Sequence, residues 1–133
     1  MIQKIDHIGI AVKSVEDAAK VYSALGLEVE DIEVLESQKL KIAMIPVGES
    51  KIELVEPTDS EGGIARFIEK RGEWLHHMAF GVSDIEAVLA SLKAAGIPLV
   101  DETPRIGAGG TKIAFLHPSG ANRVSIELVE VKK

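Results

Sequence analysis

Two histidines and two glutamates carry most of the chemistry this chain can offer. His7 and His77 lie 70 positions apart, and Glu53 and Glu127 each take the second place in the pentapeptide IELVE, at 52–56 and again at 126–130. Both glutamates interrupt apolar runs that read as strands. An ionised carboxylate away from water is costly unless it is paired or bound to a metal. Two imidazoles and two carboxylates brought together make a mixed N/O donor set for zinc or a divalent first-row ion. Four such ligands on an octahedral ion leave two positions open, which suits a substrate offering two oxygens. A lone strand histidine is more often a core residue, and a lone strand glutamate an edge charge. Here both types recur at duplicated positions, and that favours the metal reading.

The duplication extends well beyond the four residues. Displaced by 70 positions, IDHIGIAVKSVEDAAKVYSALGL falls on LHHMAFGVSDIEAVLASLKAAGI without a gap. His7 lands on His77, Val12 on Val82, Glu16 on Glu86 and Gly26 on Gly96. Further on, KIAM at 41–44 parallels KIAF at 112–115. Two copies make a duplicated module and not a solenoid.

Each copy predicts the same elements. A period-two run at 2–12 or 75–82 reads as a strand. A helix follows, with Ser14 or Asp84 as N-cap, Asp17 completing a partial capping box in the first copy, and Gly26 or Gly96 as the stop. Three short strands close each copy, at 28–36, 39–46 and 50–56, then at 98–101, 111–117 and 123–130. The expected organisation is a single domain over 1–133. A first βαβββ module spans 1–56, a linker with a short helix near Ile64–Lys70 spans 57–73, and a second module spans 74–133. The fold class is α+β.

Strand alternation sorts the side chains by face. Ile8, Ile10 and Val12 oppose Ile5, His7, Gly9 and Ala11. Met78, Phe80 and Val82 oppose Leu75, His77, Ala79 and Gly81. Ile52 and Leu54 oppose Glu53 and Val55, and Ile126 and Leu128 oppose Glu127 and Val129. Ile42 and Met44 are expected on the greasy side, against Lys41 and Ala43. If the two modules curl their roomy faces together into one curved mixed sheet, the four donors converge in a metal-containing cleft. His76 faces away from His77, and His117 sits before Pro118 at a strand end, so both are weaker candidates.

Bulk properties narrow the classes. The 46% hydrophobic and 27% charged content is ordinary for a globular protein of 133 residues. No apolar run is long enough to span a bilayer. A strand pattern begins at once and no signal-peptide cleavage site is seen, so the cytoplasm is the expected location. The absence of cysteine excludes disulfides, thiolate metal sites and cysteine nucleophiles. A net charge of −6 and 4% aromatic content argue against nucleic-acid binding.

The segment ETPRIGAGGTK invites a phosphate-cradle reading, but GAGG lacks the Gly-Lys-Ser/Thr ending of a P-loop and no helix pattern follows. A flexible turn and a ligand-contacting lid remain equal readings. Arg105 and Lys112 are candidate contacts for an anionic ligand, and Lys41 is a third.

With these residues in place, the chain resembles the vicinal oxygen chelate superfamily of paired βαβββ modules, and within it the methylmalonyl-CoA epimerases. The stretches that carry the resemblance are IDHIGIAV, KIELVEPT, IARFIEKRGEWLHHMAFGV, PRIGAGGTKIAFLHP and SIELVE. The resemblance implies a glyoxalase-like fold, a homodimer, and an isomerase of propionate metabolism acting on a CoA thioester. It implies metal ligands at His7, Glu53, His77 and Glu127, although some relatives carry Gln at the Glu53 position. The ion would be cobalt, with zinc, manganese, nickel and magnesium as other candidates. Glu127 matches one family base. A second Glu sits on the third strand of some relatives, where Lys41 aligns here, leaving Glu53, Lys41 with a lowered pKa, or water as the second acid/base.

Chemistry agrees with that implication. The α-proton of the substrate lies between two carbonyl groups, and a bound cation would stabilise the enolate left by its removal. Rival readings are glyoxalase I on a glutathione hemithioacetal, and a non-catalytic small-molecule-binding member of the same superfamily. An extradiol dioxygenase would need a two-His, one-carboxylate iron site, which a fourth ligand at Glu53 would crowd.

Overall fold

The computed structural model describes residues 1–131. The period-two stretches form β1 (Ile2–Ala11), β2 (Asp31–Leu35), β3 (Leu40–Val47), β4 (Ser50–Pro57), β5 (Trp74–Val82), β6 (Arg105–Ile106), β7 (Lys112–Phe115) and β8 (Ile126–Glu130). The helices are α1 (Val15–Ala24), α2 (Gly63–Arg71) and α3 (Ile85–Ala94). The fold is α+β. None of the described helices is long and apolar enough to cross a membrane.

Local sequence explains where the two longer helices start and stop. The Ser14 hydroxyl accepts from the Asp17 amide, and the Asp84 carboxylate accepts from the Ala87 amide, each at 3.1 Å. Caps of this kind contribute ~1 kcal/mol each. Gly26 and Gly96 follow the last helical turns with φ of +87° and +74°. There the Leu27 amide donates to the Tyr22 carbonyl and the Ile97 amide to the Leu92 carbonyl, which caps the helix ends.

The chain divides into two compact units, Ile8–His76 in one and Met1–His7 with His77–Lys133 in the other. In the first, strand order is β2-β3-β4-β1. The β3–β4 ladder is antiparallel and sets Ala43 opposite Leu54 and Met44 opposite Glu53. Val12, Val15, Ala43, Ile45 and Leu54 form the core, with Ile10, Tyr22 and Ile52 against it. In the second unit the order is β1-β5-β8-β7-β6. β5 runs parallel to β8, β7 runs antiparallel to β8, and Ala79 and Phe115 both stand opposite Glu127. Its core joins Val82, Ile85, Val88, Leu89, Ala114, Leu116 and Leu128. Burying a Leu or Ile as fully as Leu54 or Ile85 contributes ~1.5–3 kcal/mol.

Two expectations are corrected. Residues 98–101 do not form a strand; only Leu99 bridges, to Leu116. The Asp101 carboxylate accepts the Phe115 amide at 2.9 Å, taking the donor that a neighbouring strand's carbonyl would use. Pairing resumes at the short β6, with Arg105 opposite Ile113. The faces of β3 are also the reverse of the expected ones. Ala43 and Ile45 join the core beside α1, so Lys41 lies on that side by alternation, while Ile42 and Met44 lie on the face of Val55 and Glu53. Both faces of β3 are apolar, and hydrophobicity alone could not orient it.

Candidate metal centre

Three of the four sequence-predicted donors meet within one compact unit. His7 comes from β1, His77 from β5 and Glu127 from β8. His7 Nε2 lies 3.1 Å from His77 Nε2 and 3.2 Å from Glu127 Oε1, and His77 Nε2 lies 3.1 Å from the same oxygen. The rings meet edge to face, their centroids 5.1 Å apart. The three residues are only 3%, 7% and 5% exposed, so water does little to solvate their charges.

Alternation along the strands produces this convergence. In β8, Ile126 and Leu128 turn to the helix-side core, leaving Glu127 and Val129 on the other face. There Val129 packs with Ala79 and Ile113, and Phe115 leans on the group. Ala79 is two residues beyond His77 and takes little room. The Phe115 ring meets the His77 ring edge-on at 5.8 Å and walls the donors on that side.

Electrostatics within the group are strongly coupled. Burial pushes the Glu127 carboxyl up, but hydrogen bonds with His7 and His77, together with their charge, outweigh it and bring the group down to about 2. Glu127 is therefore ionised throughout the neutral range. The three donors fit a metal ion in type and in spacing. For bonds of ~2.1 Å, two donors at right angles lie ~3.0 Å apart and two tetrahedral donors ~3.4 Å apart. The separations of 3.1–3.2 Å fall between these limits.

Asp6 was not singled out in the sequence. It is buried, and its Oδ2 lies 2.8 Å from His7 Nδ1. An acidic residue directly before a candidate ligand histidine was the available signal. Alternation conceals it, because neighbouring strand residues nominally face opposite ways.

Glu53 belongs to the other compact unit, where it is buried on β4 opposite Met44. The three cationic candidates separate clearly. Lys41 pairs with Glu16 on α1, and Lys112 pairs with Glu86 on α3 at 3.2 Å, so one ion pair recurs in both copies of the repeat. The hydrogen bond to Glu16 raises the Lys41 pKa, contrary to the lowered value a lysine base would need. Lys112 shares its side of β7 with Ala114, in the helix-side core. Both lysines are ion-pair partners of a helix's first turn. Arg105 differs. It stands opposite Ile113, on the face of His77 and Glu127, with its guanidinium 5.5 Å from the Phe115 centroid and its Nε donating to Asp101 at 3.2 Å.

The last glutamate of each IELVE has a separate, structural task. Glu56 accepts the Val15 amide at 2.8 Å, and Glu130 accepts the Ile85 amide at 3.1 Å. Each secures the first turn of a helix. His76 stacks edge-on against Phe67, and His117 takes part in a turn with Ser119.

Paired βαβββ modules and a buried two-histidine, one-carboxylate group on strand faces define a glyoxalase-like protein able to hold a metal ion. Residues 6–115 match the family model described as the Glyoxalase/Bleomycin resistance protein/Dioxygenase superfamily, and the chain belongs to that family. It is 41% identical over 132 residues to an uncharacterized protein of Bacillus subtilis, covering 98% of this chain and 94% of that one. It is 36% identical over 134 residues to the ethylmalonyl-CoA/methylmalonyl-CoA epimerase of Cereibacter sphaeroides, covering 98% and 100%. Among solved structures it is similar to a variant of Streptomyces coelicolor methylmalonyl-CoA epimerase in complex with 2-nitronate-propionyl-CoA. That match has a TM-score of 0.93 and 36% identity, over 98% of this chain and 95% of the other.

Proposed function

We propose that this chain is a methylmalonyl-CoA epimerase, an isomerase that interconverts the (R) and (S) forms of a CoA thioester by removing and returning its α-proton. The observation that carries the reading is the buried His7–His77–Glu127 group, in a chain alike over nearly its full length to relatives bearing the epimerase name. Those relatives favour it over glyoxalase I.

In this reading His7, His77 and Glu127 hold a divalent ion, cobalt for preference. The sequence repeat adds Glu53, the counterpart of Glu127, as a fourth ligand. When bound, the ion supplies a Lewis acid for the negative charge that builds on the thioester oxygen. The residues of the chain do the rest. Glu127, ionised at neutral pH, takes the α-proton. Inversion requires delivery to the opposite face by a second group, a role assigned to Glu53 on the strength of the repeat. Phe115 and Ala79 keep the face around His77 apolar, which restricts water near the carbanion. Arg105, on that face, receives an anionic part of the substrate. The enzyme acts in the cytoplasm as a homodimer.

The test is α-proton exchange. Cobalt-loaded protein is mixed with methylmalonyl-CoA in D₂O, and loss of the α-proton signal is followed by NMR with and without EDTA. Fast exchange that EDTA abolishes supports the reading. No exchange above the buffer rate, at verified metal occupancy, removes it.

A further inference from the structure

The two imidazoles of the candidate centre are not held alike. In the repeat, the residue before His7 is Asp6, and the residue before His77 is His76. His76 packs edge-on against Phe67 at 4.9 Å. Asp6 instead places Oδ2 2.8 Å from His7 Nδ1. An ionised carboxylate only accepts hydrogen bonds, so this contact puts a proton on Nδ1. At that distance the bond is charge-assisted. Asp6 is 9% exposed and His7 3%, so bulk water competes weakly for either partner. Lys4 Nζ stands 4.0 Å from the other Asp6 oxygen.

The geometry points to Asp6 as a positioning residue for His7. Adjacent strand residues nominally face opposite sides, so the contact exists only when the ring turns its Nδ1 edge back toward the preceding residue. Nε2, on the other edge, then faces His77 and Glu127, where an ion that displaced its proton would meet its lone pair. Asp6 thus fixes both the tautomer and the rotation of one ligand. A carboxylate behind an imidazole also raises the donor strength of its far nitrogen, and losing such a partner costs roughly 10–100-fold in metal affinity as a general magnitude. The inference rests on the reading of His7, His77 and Glu127 as a metal centre, and it assigns Asp6 no contact with the ion or the substrate.

Zinc binding, measured by competition with a chromophoric chelator, tests it without substrate. Asp6→Asn keeps the size of the side chain and removes its charge; Asp6→Ala removes the acceptor. The expected result is a ~10–100-fold weaker zinc affinity in both, relative to wild type. In the zinc-loaded wild type, ¹⁵N-resolved NMR of the histidine rings should show a protected Nδ1–H on His7, lost in Asp6→Ala. If Asp6→Ala fails to fold, the affinity of Asp6→Asn and the wild-type ring signal decide the matter. Wild-type affinity in Asp6→Asn, or His7 bound to zinc through Nδ1, overturns the inference while leaving the metal centre intact. A wild-type protein that takes up no zinc overturns both.

Discussion

Glu127→Gln removes a charge and preserves a shape, which makes it a direct probe of the buried group. The folded protein holds this carboxyl at about 2, against 4.5 for the free group. That difference corresponds to ~3 kcal/mol favouring the folded state when the group is ionised. Because the folded value lies below the unfolded one, the stabilisation is fully present above pH ~4.5 and is lost as the pH falls toward 2. Glutamine has no such dependence. Urea unfolding of metal-free wild type and Glu127→Gln, stepped from pH ~6 to ~2.5, should therefore show their stability difference changing by ~2–3 kcal/mol against the wild type. The direction follows from the hydrogen bonds of His7 and His77 outweighing burial. A stability difference that stays constant across this range would refute that balance and the assigned geometry of the three side chains.

The other predictions concern function and fit. The double substitution His7→Ala, His77→Ala should abolish stoichiometric metal, read by elemental analysis after gel filtration; full retention would remove these residues as ligands. Lys41→Met and Lys112→Met should leave α-proton exchange within about twofold of wild type, since both side chains pair with helix residues on the core side. A tenfold loss in either would contradict that placement. Arg105→Ala should raise KM for the CoA thioester by roughly tenfold with little change in kcat, the pattern of a lost uniform binding contact; an unchanged KM would count against its role as anion receptor. In Gly120→Ala the added Cβ would lie 2.6 Å from Pro98 Cδ, in a ring that cannot swing aside. Unfolding midpoints should report a loss of ~1–3 kcal/mol, and an unchanged midpoint would mean that the turn moves freely.

Much of this architecture is legible in one dimension. The repeat displaced by 70 positions predicts paired modules, and Ser14, Asp84, Gly26 and Gly96 mark helix ends because capping depends on neighbours in the chain. On β5 and β8 one face is bulky and the other small or acidic, so period-two alternation predicts that His77 and Glu127 each lie on the less bulky face of their own strand. These are local properties, and sequence by itself determined them. Tertiary structure decided what local pattern left degenerate. β3 is apolar on both sides, and only its pairing with β4, Met44 opposite Glu53, set which residues reach the helix. Lys41 and Lys112 are ordinary strand lysines until α1 and α3 bring Glu16 and Glu86 to them. The strand expected at 98–101 gave way because the Asp101 side chain satisfies the Phe115 amide. Asp6 escaped notice for a related reason. Its contact with His7 depends on how a ring is turned inside a buried, water-poor group, and a ring's rotation is set by the neighbours that surround it and not by spacing along the chain.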